Sequence, residues 1–205
     1  TRKESSAASD VYKRQVIFGY EPGSVERIEN NPETETYNNS NVAIEFIGFN
    51  NQKEPLDDVK VRQAITHAVD REEIIEGIYS GIGEVPAGPL VEGLTGHNDD
   101  IENLEYDLEK AEKLMAEAGH EDGFELSIIT NDTPQRVDAA IYLQESLADI
   151  NITATVEQME WGAYLEEAST GEHDIFLLGW PNFTGDPDQS LWPLFHSSMM
   201  GDEGN

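Results

Sequence analysis

The chain has 205 residues, 42 of them acidic and 12 basic, so its formal net charge at pH 7 is −30. A field of that sign repels phosphate backbones and anionic membrane surfaces, which argues against nucleic-acid binding. The sequence contains no cysteine, so disulfides, thiolate nucleophiles and cysteine metal sites are excluded.

The first fifteen residues, TRKESSAASDVYKRQ, differ in composition from the rest of the chain. Up to Arg14 they hold four basic and two acidic residues, with no apolar periodicity. We therefore interpret residues 1–15 as a foreign or disordered segment and leave them out of fold reasoning. On this interpretation the native start of the protein is lost, together with any signal or lipid-attachment sequence.

The region after residue 15 begins with short elements. VIFGYEP predicts a strand, SVERIENNPE one or two helical turns capped by Ser24, and VAIEFIGFN a strand that ends near Phe49. EPLDDVKVRQAITHAVDREEIIEGIYSGIG predicts two consecutive helices. The second begins at Asp70, with Glu73 completing a capping box, and ends at Gly81.

A Gly- and Pro-rich stretch, GEVPAGPLVEGLTGHNDD, predicts a long irregular crossing. The next helix, YDLEKAEKLMAEAG, is predicted to be capped by Asp107 and stopped by Gly119. FELSIIT, PQRVDAAIYLQESLADI and ITATVEQ then read as strand, helix and strand, a βαβ unit whose strands should be parallel. With WGAYLEEAST as a further helix and DIFLLGW as a further strand, the predicted fold class is α/β.

Two tryptophans follow predicted strands. Trp161 lies three residues after ITATVEQ, and Trp180 closes DIFLLGW. Ligands of open α/β sheets bind beyond the carboxyl ends of the strands, and a tryptophan there offers a large apolar face with one N–H donor. The alternative is that each tryptophan fills the end of the core.

The order of these motifs resembles a known family. FIGFNNQKEPLDDVKVRQAITHAVDREEII, GIGEVPAGPL, YDLEKAEKLMAEAG, FELSIIT, QMEWGAYL and DIFLLGW...GDPDQSLWPLFHSS together resemble the extracytoplasmic solute-binding proteins of ABC importers for peptides, nickel and glutathione (family 5). The resemblance implies a type II periplasmic-binding-protein-like fold of two lobes that close over ligand. Residues 16–205 look like most of the second large lobe, incomplete, with residues 16–50 near a hinge crossing.

The resemblance also implies a ligand site. In peptide-binding relatives the tryptophans of EW and GW line the cavity, which assigns that role to Trp161 and Trp180. Many relatives have an aspartate just after GW that pairs with the ligand's amino group, whereas here the first carboxylate is that of Asp186. Either Asp186 or Asp188 takes this role, or the ligand is held differently, and TGDPDQSLWPLFHSS looks closer to the glutathione-binding branch. The predicted ligand-binding residues are Trp161, Trp180, Asn182, Phe183, Thr184 and Asp186.

Local alternatives exist for the polar members of this set. GDPD is an ordinary turn composition, so Asp186 and Asp188 can be turn formers without a ligand role. Asn182 and Thr184 can hydrogen-bond the ligand backbone or hold the loop itself together.

No catalytic, nucleotide-binding or calcium-binding motif occurs, and the five histidines, His67 among them, show no zinc spacing. We therefore predict a monomeric, non-enzymatic binding protein without cofactor or metal. Its function would be to capture peptides outside the cytoplasmic membrane and deliver them to an ABC permease. The alternatives are an α/β hydrolase that uses buried carboxylates and an acidic interaction module.

Overall fold

The computed structural model describes residues 22–37 and 42–199, and the chain divides into two units between Asn39 and Ser40. In the first unit a 3₁₀ turn, Pro22–Ser24, leads into the short helix α1 (Val25–Glu29). Ser24 stands at the N-cap position but makes no side-chain cap hydrogen bond, so the predicted cap is wrong. Its backbone is already helical, at φ −92° and ψ −9°, rather than extended as capping geometry requires. The proposed foreign segment 1–15 and the predicted strand VIFGYEP, residues 16–22, lie outside the described residues, except for Pro22, which is part of the 3₁₀ turn.

The second unit combines strands and helices. Its strands are β1 (Ala43–Phe49), β2 (Glu125–Asn131), β3 (Thr153–Met159) and β4 (Ile175–Pro181). Its helices are α2 (Val59–Ala68), α3 (Arg71–Ile78), α4 (Leu108–Glu117), α5 (Pro134–Ala148), α6 (Trp161–Thr170) and α7 (Asp188–Phe195). The predicted α/β class is confirmed. Across the described parts of the chain, no helix is long and apolar enough to cross a bilayer.

The four strands form one mixed sheet in the order β1-β4-β2-β3. β2 pairs in parallel with both β3 and β4, which confirms the predicted βαβ unit, while β1 runs antiparallel to β4. The carboxyl ends of β2, β3 and β4 therefore meet the amino end of β1 at one side of the sheet.

Apolar side chains cover both faces of this sheet. On one face, α2, α4 and α5 pack over a large core. It includes Ile128 and the apolar residues of α2 and its C-terminus, all of them buried: Val61, Ala64, Ile65, Ala68 and Val69. On the other face a smaller cluster joins Tyr164 of α6 to Ile129, Phe176 and Leu178. Adjacent residues Ile128 and Ile129 enter opposite clusters because side chains alternate along a strand.

Most helix ends follow the predicted chemistry. The side chain of Asp70 accepts hydrogen bonds from the backbone N–H groups of Glu72 and Glu73, which confirms the cap of α3. The Glu73 carboxylate instead accepts from the hydroxyl of Tyr142, 2.7 Å away on α5. Asp107 caps α4 as predicted. Gly119, just beyond the end of α4, has φ +81°, a conformation that favours glycine.

The sequence correctly predicts an irregular segment between α3 and α4. It does not predict helix α7. Pro193 lies inside α7, and a proline there removes the backbone N–H that would bond to the carbonyl four residues earlier. That carbonyl belongs to Gln189. The helix still forms because Leu194 and Ser190 are buried against the rest of the unit.

Candidate functional site

The candidate site lies where the parallel strands end, at what we call the carboxyl edge. It consists of residues 42–45, 131–136, 159–163 and 180–188, which begin β1 or follow β2, β3 and β4. Loops and helix N-termini converge at this position in α/β sheets, which makes it the usual place for a ligand.

Trp161 is the first residue of α6 and is 42% exposed. Its ring stacks on that of Tyr164, with 5.6 Å between centroids and an interplanar angle of 21°. Tyr164 is fully buried and donates its hydroxyl proton to the Leu177 carbonyl of β4 at 2.7 Å. Burial raises the pKa of Tyr164, so this hydroxyl remains a donor. Trp161 thus rests on a fixed platform with part of its face in solvent.

Trp180 is partly buried at the end of β4 and packs against the same apolar cluster that contains Tyr164. Its indole N–H donates to the Gln189 carbonyl at 2.9 Å. In a regular helix this carbonyl would accept the backbone N–H of residue 193, which proline lacks. Both tryptophans therefore border one apolar cluster at the carboxyl edge, and Trp161 in particular does not fill the core.

Asn182 is buried, with only 2% of its surface exposed. Its amide nitrogen donates to the Asp186 carbonyl at 2.8 Å and to the Ser190 hydroxyl at 3.0 Å, and its amide oxygen accepts from the Gly185 N–H. All of these contacts lie within the loop and its helix. Of the two predicted roles of Asn182, the structure shows the one that holds the loop together.

Thr184 and Phe183 are organised by Gln189, a residue that the sequence did not indicate. The Gln189 side-chain oxygen accepts from the backbone N–H groups of Phe183 and Thr184 and from the Thr184 hydroxyl, each at 2.9 Å. The Phe183 side chain remains 83% exposed. The loop therefore presents an aromatic ring to solvent on a fixed backbone.

Asp186 is exposed and its carboxylate accepts the backbone N–H of Asp188 at 2.9 Å, which is turn-forming chemistry. The other carboxylate oxygen of Asp186 accepts no hydrogen bond within the loop. Asp188 begins α7, where a negative charge is favourable. Both carboxylates thus have local roles, and that of Asp186 remains accessible to a ligand.

An ion pair at this edge was also not predicted. The Arg136 Nε and Nη2 atoms bind the two carboxylate oxygens of Glu45 at 2.9 and 3.0 Å, and Nη1 binds the Asn131 side-chain oxygen at 3.2 Å. Burial acts to lower the pKa of Arg136, but the hydrogen bond and the charge of Glu45 outweigh it, so the pKa is raised. Burial, followed by the charge of Glu45, raises the pKa of nearby Tyr79.

The pair escapes sequence reasoning because 91 positions separate its two members. A signal does exist at Gly179, which faces Glu45 across the β1–β4 ladder. A Cβ atom added to Gly179 would overlap with Glu45 Oε1 and Arg136 Nη2. The glycine of the GW motif is therefore needed for the close approach of this ion pair.

Histidines and carboxylates elsewhere have structural contacts. His67 is buried and its Nδ1 lies 2.6 Å from the Glu105 carbonyl. In residues 22–37 and 42–199 no three His, Asp or Glu side chains are grouped so that they could hold a metal ion. Lys53 and Ser127 hydrogen-bond the Asp174 carboxylate and outweigh the effect of its burial, so the pKa of Asp174 is lowered. The alternative of a hydrolase that uses buried carboxylates predicts a carboxyl group with a raised pKa, and Asp174 is not such a group.

The α/β fold of this unit is that of part of a type II periplasmic binding protein, as its similarity to solved members of that class shows. Residues 3–202 match the family described as bacterial extracellular solute-binding proteins, family 5 (middle). The chain belongs to this family, whose members bind solutes outside the cytoplasm.

Three similar proteins illustrate the match. Heme-binding protein A of Haemophilus influenzae is 35% identical over 85% of this chain and 33% of its own length. The dipeptide-binding protein of Escherichia coli K12 is 35% identical over 93% of this chain and 36% of its own. The ABC transporter-associated periplasmic binding protein DppA of Helicobacter pylori, solved with the peptide STSA, is 32% identical with a TM-score of 0.83, covering 90% of this chain and 36% of its own. The chain thus spans about a third of the length of these relatives.

Proposed function

We propose that the protein containing this chain is the substrate-binding component of an ABC importer, which captures peptides outside the cytoplasmic membrane and delivers them to its permease. The observation that carries this proposal is the placement of Trp161 and Trp180 beside one apolar cluster at the carboxyl edge. Two of the relatives are described as binding dipeptides or the peptide STSA.

The chemistry of the edge suits a peptide. Aromatic faces contribute contact area without regard to side-chain charge, and a closing cleft that excludes water strengthens each polar contact. The exposed carboxylate of Asp186 is available to a ligand ammonium, and the rings of Trp161 and Phe183 are available for contact. Capture requires only that the closed state binds ligand more tightly than the open state, so no covalent step is involved.

The test is a tryptophan-fluorescence titration of the full-length protein with di- to pentapeptides, glutathione and nickel. We expect a saturable emission change with a peptide-class ligand that Trp180→Ala abolishes. Trp192→Ala is the matched control, because it removes a tryptophan that is 45% exposed and stacks on His196 of the segment after α7. If Trp180→Ala titrates as the wild type does, Trp180 is not part of the site. If no peptide changes the emission, the proposed cargo is wrong.

A further inference from the structure

The exposed part of the Glu45–Arg136 pair is its carboxylate. The Arg136 side chain is only 15% exposed, whereas that of Glu45 is 49% exposed. Each of the three guanidinium nitrogens already has a carboxylate or amide oxygen as acceptor. A molecule that approaches the carboxyl edge therefore meets the anion of this pair before the cation.

Arg136 is also the one basic residue in the segments that form the carboxyl edge. These segments, residues 42–45, 131–136, 159–163 and 180–188, contain five acidic residues, Glu45, Asp132, Glu160, Asp186 and Asp188. A ligand carboxylate thus finds no uncommitted basic side chain within these segments. Glu45 holds two of the five guanidinium N–H groups in parallel charge-assisted hydrogen bonds of the strong, bidentate kind, so a ligand carboxylate would meet a guanidinium whose charge is already compensated.

The backbone keeps the pair in place. Glu45 lies opposite Gly179 in the β1–β4 ladder, and the absence of a Cβ atom there leaves the space that Glu45 Oε1 and Arg136 Nη2 fill. Strand β1 thus supplies the carboxylate, strand β4 the space and helix α5 the guanidinium. The pair belongs to the frame of the site rather than to a mobile loop.

We propose that Glu45 is a specificity-determining residue of the ligand site. By holding Arg136, it makes the carboxyl edge favour ligands that present an ammonium or a neutral group and disfavour ligands that present a carboxylate. The inference rests on the proposed function and narrows it to peptides that are cationic, or uncharged at the end that faces this edge.

The experiment compares the affinity of the full-length protein for trialanine with its affinity for trialanine amide, which lacks the carboxylate. We expect the wild type to prefer the amide, and Glu45→Gln to lower the ratio of amide to acid affinity by roughly tenfold, because it leaves the guanidinium charge uncompensated. Gly179→Ala should shift the ratio in the same direction, because its Cβ displaces the pair. Glu125→Gln is the control: it removes the same charge from the amino end of β2 and should leave the ratio unchanged.

The outcomes separate this inference from the proposed function. If both peptides bind and Glu45→Gln leaves the ratio unchanged while the variant keeps the wild-type melting temperature, Glu45 does not set specificity although the protein binds peptides. A Glu45→Gln effect that Glu125→Gln reproduces would be a general charge effect and would also overturn the inference. If neither peptide binds the wild type, the proposed function and the inference both fail.

Discussion

The protonation of individual side chains in this unit depends on burial as well as on neighbouring charges. His173 shows this clearly: the residue is 6% exposed, its ring packs edge-on against that of Phe176, and its buried Nδ1 atom has no hydrogen-bond partner among the described residues. Burial, assisted by the charge of Lys53, lowers the pKa of His173 below its ordinary value of 6.5. Hydrogen bonding to Glu167 and the charge of Asp174 oppose that shift without cancelling it.

This lowered pKa makes stability depend on pH. As pH falls below 6.5 the unfolded chain, whose His173 has the ordinary pKa, takes up a proton before the folded chain does. The contribution of His173 to the free energy of unfolding is therefore level above pH 6.5 and decreases below it. We expect chemical denaturation between pH ~7.5 and ~5.5 to show this decrease, and His173→Gln to flatten it. Asp174 does not interfere, because its pKa is lowered from 3.8 and it titrates below this window.

The histidine variant also provides the contradicting outcome. Equal pH dependence of the wild type and His173→Gln over this range would show that His173 does not take part. Such a result would mean that the folded protein accommodates protonated His173 at no cost, although its Nδ1 atom has no acceptor among the described residues.

At the scale of elements, the loop between β4 and α7 is held by amide side chains rather than by apolar packing. Asn182 fixes its buried side, and Gln189 fixes the backbone of Phe183 and Thr184. These hydrogen bonds fix the shape of the loop, and its exposed side chains include the aromatic ring of Phe183 and the carboxylate of Asp186. This is an arrangement suited to a binding surface that must be preorganised.

The Gln189 side chain gives an element-scale prediction. Gln189→Ala removes one acceptor and leaves the N–H groups of Phe183 and Thr184 without it. We expect hydrogen exchange of these two amides to become roughly tenfold faster, which corresponds to a loss of about one net hydrogen bond. The measurement is amide exchange by NMR spectroscopy.

A conservative variant separates this effect from general destabilisation. Gln189→Glu keeps an oxygen acceptor at the same position, so it should retain slow exchange at Phe183 and Thr184. Faster exchange throughout β4 in Gln189→Ala, rather than at the loop amides alone, would contradict a local role for this side chain.

Elements were predictable where the signal is local. Apolar spacing gives the helices and strands of the βαβ unit, and Asp70 and Asp107 mark helix starts because a short carboxylate accepts the free N–H groups there. Ser24 failed as a cap because a 3₁₀ turn precedes it. Helix α7 was missed because Pro193 and the flanking aromatics resemble a loop, whereas burial of Leu194 decides the outcome.

At the scale of the whole molecule, strand order and the ion pair could not be derived from local signals. The parallel βαβ pairing follows from handedness rules, but nothing local brings β1 antiparallel against β4. Once β1 is in that place, Glu45 meets Arg136 beside Gly179. Trp180 packs against the apolar cluster that contains Tyr164, on which Trp161 stacks. The positions of Trp161 and Trp180 after β3 and at the end of β4 were therefore predictable from the sequence, whereas the Glu45–Arg136 ion pair depends on tertiary register.

The length of the chain relative to its relatives leads to a prediction about ligand binding by the isolated chain. The chain spans about a third of the length of its relatives, and a cleft that closes over ligand needs a second wall. We expect the isolated chain to bind peptides feebly or not at all, because one wall cannot exclude water from the contacts it makes. Isothermal titration of the chain alone is the measurement, with the full-length protein as control. A micromolar dissociation constant for the isolated chain would contradict it.

The proline inside α7 allows a hydrogen bond between this helix and Trp180 at the carboxyl edge. Since Pro193 has no backbone N–H to donate, the carbonyl of Gln189 accepts the indole N–H of Trp180 instead. Helix α7 therefore cannot rotate about its axis without either breaking that bond or turning the indole ring. The orientation of the Trp180 ring is thus coupled to the position of α7 by this one hydrogen bond.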